Sequence, residues 1–254
     1  MKILSFVNQK GGVAKTTSVL NIGAALAIAG KRVLLVDFDP QGSLSKCAGL
    51  RDLQGSPTTY EVIKGDVDIK DAIRTKEAAA PYDILPLDIR MSGAEIELIS
   101  APGRDTLLKD ALETVKKKYD YVLIDCNPSL SIFTLMALTA SDKVIIPVAA
   151  QYMALDGIAQ LLQTIELVKK RLNKHLEIGG VLITLYDSRR SLDKDVAEAV
   201  RKRFPKETFK TMIKTNTSVA EAPAAGKDIF SYDSKSSGAD TYREITKEII
   251  EREG

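Results

Sequence analysis

Eight residues near the start of this 254-residue chain, KGGVAKTT from Lys10 to Thr17, constrain its fold more than any other stretch. They follow a short apolar run, Ile3 to Asn8, and lead into an alanine-rich stretch with helical character. A strand, a glycine-bearing loop and a Lys-Thr pair opening a helix is the layout of a loop that cradles phosphates. Backbone N–H groups at such a helix start point at an anion, and the helix dipole adds positive potential. In this reading the backbone of Gly11, Gly12, Val13, Ala14 and Thr17 wraps a nucleotide's phosphates. Lys15 reaches the outer phosphates and the Thr16 hydroxyl ligates Mg²⁺.

The rest of the chain alternates in character. Apolar runs at Arg32–Asp37, Tyr119–Asp125, Lys143–Val148 and Gly179–Thr184 are short, rich in Val, Ile and Leu, and bounded by polar or turn residues. Such runs read as strands buried on both faces of a parallel sheet. Between them, Leu107, Leu108, Ala111, Leu112 and Val115 fall on one helical face, as do Leu155, Ile158, Leu161, Leu162, Ile165 and Val168. The alternation predicts a single doubly wound α/β domain over 1–254, its mostly parallel sheet covered by helices on both faces. Residues 46–80 read as short helices and loops. No apolar run has the length of a membrane span, and no basic segment with an apolar leader opens the chain. Cys47 and Cys126 stand alone, which argues against a disulfide framework and for a reducing cytoplasm. His175 sits among charged residues and reads as solvated.

The strict phosphate-loop pattern G-x-x-x-x-G-K-[ST] is not met, because Gln9 and Ala14 stand where its glycines belong. Lys10 instead precedes Gly11-Gly12. The resulting K-G-G-x-x-K-[ST] resembles the deviant Walker A motif of the ParA/MinD group of ATPases. Two further segments carry the resemblance. LLVDFDPQGS, with Asp37 and Asp39, resembles that group's D-x-D-P-Q segment, and YVLIDCNPSL resembles its Walker B strand and D-x-x-P loop. The likeness implies that Asp39 orients the attacking water, that Asp125 holds Mg²⁺, and that Asp37 lies near the metal. It also implies that Lys10 reaches the partner subunit's nucleotide across a face-to-face, ATP-dependent homodimer. A cation supplied in trans neutralises charge that develops during phosphoryl transfer.

Val181–Val196 and Met212–Tyr242 resemble the C-terminal half of ParA/Soj-type proteins, so the likeness spans nearly the whole chain. By it Asn216 and Pro223 lie near the adenine, and Arg189 matches a DNA-binding arginine. Thr215 and Ser218 stand where many members carry arginines; Lys210, Lys214 and Lys227 are the candidate replacements, alongside Arg190. Charge patterning agrees: residues 169–214 hold 13 Lys/Arg against 6 Asp/Glu, although the whole chain is only +2.

The implied function is a slow, partner-stimulated, Mg²⁺-dependent ATPase of the cytoplasm and nucleoid. Its dimer binds duplex DNA non-specifically and segregates chromosome or plasmid DNA with a ParB-like partner. The early phosphate loop leaves no room for an N-terminal helix-turn-helix domain. Three alternatives differ in what they need. A MinD-like membrane switch needs a basic amphipathic C-terminal helix, whereas TYREITKEIIEREG is acid-rich and reads as packing on its own domain. An iron–sulfur relative needs paired cysteines. A positioner of protein arrays or microcompartments would share the ATP and DNA chemistry.

Overall fold

One sheet runs through the protein, and its strands explain their own composition. The computed structural model describes residues 1–98, 101–152, 155 and 157–253. The first half holds β1 (Lys2–Phe6), α1 (Lys15–Ile28), β2 (Val33–Phe38), α2 (Ser43–Cys47), α3 (Thr59–Lys64), α4 (Ile69–Ala72), β3 (Arg74–Lys76), β4 (Tyr82–Leu85), α5 (Met91–Leu98) and α6 (Leu107–Glu113). The second holds β5 (Tyr121–Cys126), α7 (Ile132–Ala140), β6 (Lys143–Ala149), α8 (Ile158–Arg171), β7 (Glu177–Thr184), α9 (Ser191–Arg203), α10 (Thr217–Glu221), α11 (Ile229–Asp233) and α12 (Ser237–Glu253). The strand order is β3-β4-β2-β5-β1-β6-β7. All neighbours are parallel except the short β3, which is antiparallel to β4.

Two cores sandwich this sheet. Successive residues of β2 alternate between them: Leu34 and Val36 join one cluster, Val33 and Leu35 the other. In β5, Val122 and Ile124 likewise oppose Tyr121 and Leu123. Helices α6, α7, α8 and α9 cover the first face; α1, α11 and α12 cover the second. With neither face left to water, the central strands β2 and β5 read as near-continuous apolar runs, each broken only by the aspartate near its end, and the usual alternation disappears. The C-terminal helix buries Tyr242, Ile245 and Ile249 on the side facing α1, so its apolar stripe is already spent inside the domain. No helix among the described residues is long and apolar enough to cross a membrane.

Beyond β7 the chain returns along the same edge. The N–H groups of Phe209, Ile213 and Thr215 donate to the carbonyls of Val181, Ile183 and Tyr186, while the Val181 and Tyr186 N–H groups donate to Glu207 O and Ile213 O, which lays residues 207–215 parallel to β7. Glu248 of α12 accepts the Lys210 and Thr211 N–H groups, and the Arg252 guanidinium stacks over Phe209 at 4.1 Å.

The expected strands are present with ends shifted by one or two residues, and two were not foreseen. β4 (Tyr82–Leu85) is too short to stand out, and β3 lies inside the stretch read as helix and loop. Leu155 also departs from expectation. It precedes α8, in a turn, and is 36% exposed rather than on the buried face.

Candidate nucleotide and DNA sites

The phosphate loop joins the carboxyl end of β1 to α1. Asn8 fixes its entry: its Nδ2 donates to Pro147 O, its Oδ1 accepts the Lys10 N–H at 2.9 Å, and its carbonyl accepts from Lys15 Nζ. Thr184 at the end of β7 donates its hydroxyl to Val13 O at 3.0 Å, tying the far side of the loop down. Val13 itself is buried, so only its backbone can serve a nucleotide. A cleft of about 240 Å³ opens above, lined by Gly11, Gly12, Ala14, Lys15, Thr16 and Thr17 together with Asp39, Ser43 and Pro128. A Cβ built on Gly11 or Gly12 meets no protein atom within 4 Å, so this backbone borders open space. A larger hollow of about 350 Å³ lies at the opposite ends of β2 and β4. Its charges, Arg32 with Asp120 and Lys118 with Asp83, already neutralise one another.

Ala14 takes the left-handed conformation, φ 60° and ψ 33°, as N-cap of α1. An L-residue there is strained by about 1–2 kcal/mol. Ala14→Gly should therefore stabilise the nucleotide-free protein by about 1 kcal/mol, raising its melting temperature by about 2–4 °C. A fall in melting temperature would show that the methyl group packs favourably.

Beneath the cleft lie two buried carboxylates. Asp37 and Asp125 are register partners on adjacent strands, both fully buried. Asp125 Oδ2 accepts the Thr16 hydroxyl at 2.7 Å, while its Oδ1 has no partner. Burial, then the neighbouring Asp37 charge, pushes the Asp125 carboxyl well above its ordinary range. Burial also raises Asp37, to about 7. A buried anion without a counter-charge is costly, so an orphaned carboxylate oxygen beside a threonine hydroxyl fits a hard divalent cation. No cluster of three His, Cys, Asp or Glu side chains converges among the described residues. Mg²⁺ needs only one or two protein oxygens, with waters and phosphates as its other ligands, and Thr16 with Asp125 would supply them.

Asp37, expected near the metal, lies opposite Asp125 in the sheet with its own carboxylate oxygens already bonded. Its Oδ2 accepts both the N–H and the hydroxyl of Ser45 at 2.7 Å, and its Oδ1 takes the Asp39 N–H. The carboxylate is turned into the start of α2 and anchors the segment that carries Asp39. Ser45 in turn accepts the Leu87 N–H, and a Cβ on Gly42 would meet Leu87 O at 2.5 Å, so α2 is pinned to the end of β4. Asp39 lines the cleft, with its Oδ1 accepting the Gln41 N–H.

The two lysines of the loop part company. Lys15 is buried, donates to Asn8 O and Lys10 O, and has its pKa lowered by burial against the attraction of Asp125. Lys10 lines no part of the cleft; its ammonium donates to Tyr152 O at 3.2 Å on the β6–α8 connection.

A family model described as an AAA domain matches residues 1–178. The sporulation initiation inhibitor protein Soj of Bacillus subtilis is 47% identical over 98% of both chains. The chromosome partitioning protein ParA of Caulobacter vibrioides is 44% identical over 100% of this chain and 95% of its own. The chain belongs to the ParA/Soj family of partitioning ATPases. Among solved structures, one described as cobyrinic acid a,c-diamide synthase of Mycobacterium smegmatis, with bound ATP analogue and magnesium, superposes with a TM-score of 0.86. It shares 38% identity over 98% of this chain and 94% of its own. A Borrelia burgdorferi putative plasmid partition protein bound to AMPPNP has a TM-score of 0.81 at 26% identity, covering 100% of this chain and 99% of its own.

The remaining residues assigned by family likeness lie in the C-terminal part of the chain, beyond β7. Asn216 N-caps α10, accepting the Val219 N–H and donating to Ser237 Oγ. Pro223 starts the 3-10 turn Ala222–Ala225, which packs on α2 through close contact of Gly226 with Gly49. Neither lines the cleft. Arg189, Arg190, Lys210 and Lys214 are all exposed. The bridge between Tyr186 and Lys214 brings the Arg189 loop beside the edge segment. Asn8, Ser45 and Thr184 were missed by sequence reasoning. The first two adjoin motifs and could have been questioned, whereas nothing local marks Thr184.

Proposed function

We propose that this chain is an ATP-driven switch for DNA partitioning. ATP with Mg²⁺ sits in the loop; Lys15 and the backbone of residues 11–17 hold the phosphates, while Thr16 and Asp125 hold the metal. Bound Mg²⁺ neutralises phosphate charge and supplies the cation that the Asp125 carboxylate lacks. Asp37 holds Asp39 in place, and Asp39 aligns a water for in-line attack. Two copies then close face to face with Lys10 crossing to the partner's nucleotide. The closed dimer binds duplex DNA through Arg189, Arg190, Lys210 and Lys214, and so associates with the nucleoid in the cytoplasm. A ParB-like partner stimulates an otherwise slow hydrolysis and releases the dimer. Asn216 and Pro223 flank the adenine.

The observation that carries this reading is the split between Lys15, committed to its own cleft, and Lys10, held outside it. Chemistry within one subunit has no use for the second cation. Family membership and the basic edge beside β7 support the DNA half. The test is titration of non-specific duplex into the protein with ATP or ADP at two salt concentrations. Binding should require ATP and weaken steeply with salt, by about 0.9 in log–log slope for each phosphate contact. Arg189→Glu with Arg190→Glu should abolish it while leaving ATP-dependent dimerisation intact. Equal binding by both proteins would reduce the basic block to a solvated face.

A further inference from the structure

We propose that Asp187 is a built-in competitor for DNA phosphate, keeping one subunit's grip on the duplex too weak to persist alone. The inference rests on the DNA-binding reading and names what regulates that surface. Arg189 donates Nε to Asp187 Oδ1 at 3.0 Å and Nη2 to Oδ2 at 2.8 Å, so one edge of its fork is occupied by a carboxylate. Arg190 Nε stands 3.9 Å from the same Oδ2. The side chains of both arginines are largely exposed, at 88% and 70%, whereas that of Asp187 is only 15% exposed.

The carboxylate does not arrive there by chance rotation of a surface side chain. Its own N–H donates to Asp193 Oδ2 at 2.8 Å, and Asp193 is buried in the first turn of α9. Its Oδ1 also accepts the Arg189 N–H at 3.0 Å, closing a local turn. Leu185, left-handed at φ 53°, precedes this turn where the chain leaves β7. Asp187 is thus a fixed acceptor under two exposed cations, and its hydrogen bonds to Arg189 hold its pKa below the ordinary range.

This patch therefore presents +1 rather than +2 to a polyanion. A unit negative charge about 7 Å from a phosphate in water weakens contact about threefold. Two patches on one dimer compound this to about tenfold, because the second contact is made at the effective concentration set by the first. Weak single-site binding confines DNA association to the dimer, as a nucleotide switch requires. A stronger patch would hold monomers on DNA after hydrolysis.

The test is Asp187→Asn, which removes the charge while an amide oxygen can still accept the Arg189 N–H. Asp195→Asn, an exposed acid on α9 with no contact to either arginine, controls for net charge. Non-specific duplex is titrated into wild type, both variants and the Arg189→Glu/Arg190→Glu protein, with ATP and with ADP, at two salt concentrations. Asp187→Asn should bind about tenfold more tightly with ATP, with a salt slope steeper by about one to two units. It should also bind measurably with ADP, where wild type does not; Asp195→Asn should stay within about twofold of wild type. Unchanged or weaker binding by Asp187→Asn would overturn the inference and make the carboxylate an orienting group for Arg189. If wild type with ATP binds no better than the double glutamate protein, the DNA reading itself falls and this inference with it.

Discussion

Replacing Lys10 by alanine is expected to leave a protein that binds ATP and Mg²⁺ but stays monomeric. In the proposed dimer the Lys10 ammonium leaves the Tyr152 carbonyl and meets phosphate in a site from which water is excluded. Truncating one partner of such a buried charge pair costs about 2–5 kcal/mol. A two-fold dimer makes the contact twice, so the dimer dissociation constant should rise by at least about a thousandfold. Nucleotide affinity of the monomer should change little, because Lys10 lines none of its own cleft. Analytical ultracentrifugation with ATP, paired with a fluorescent-nucleotide titration, separates the two quantities. A variant that dimerises as wild type would remove the division between the lysines on which the function rests. Lys15→Ala should fail differently, by losing nucleotide itself.

Asp39→Ala carries the second large effect. Its carboxylate lines the cleft while Asp37 behind it is committed to Ser45, and in the proposed function it is the acceptor that holds a water at the γ-phosphate. Removing a positioned base lowers turnover about 10²–10⁴-fold. The phosphate cradle and the Thr16–Asp125 pair are untouched, so ATP should remain bound and the dimer should accumulate. Single-turnover hydrolysis and sedimentation on the same sample report both outcomes. Unchanged turnover with a normal dimer would reduce Asp39 to the turn residue that its bond to the Gln41 N–H also makes it.

Much of this site was legible because its parts are local in sequence. The loop from Lys10 to Thr17 and the acids ending β2 and β5 announce themselves by following apolar runs that must be buried strands. Residue pattern alone does not show which acid faces the cleft; family likeness pointed to Asp39, which lines it. Asp37 and Asp39 differ by two positions, and the N–H and hydroxyl of Ser45, eight residues on, hold the Asp37 carboxylate away from the cleft. Asn8 and Thr184 serve the loop by bonds to Pro147 and Val13, and such long-range contacts leave no periodic trace. β3 and β4 escaped notice for a related reason: strands of three and four residues offer too few positions for a pattern. The arginines at 189 and 190 were readable as a basic patch, but their shared counter-charge on Asp187 was not weighed, since net charge over a window treats neighbours as independent.

The borders of the sheet decide how copies of this protein can meet. At one side β3 is three residues long and carries Arg74 and Lys76; at the other, residues 207–215 already pair with β7. Short, charged or covered margins give a foreign strand no template to extend. Self-association by strand addition, a route to disordered aggregates at high local concentration, is therefore disfavoured at both margins. The dimer proposed above uses neither margin: it meets through loops and side chains at the ends of the strands, beside the nucleotide cleft.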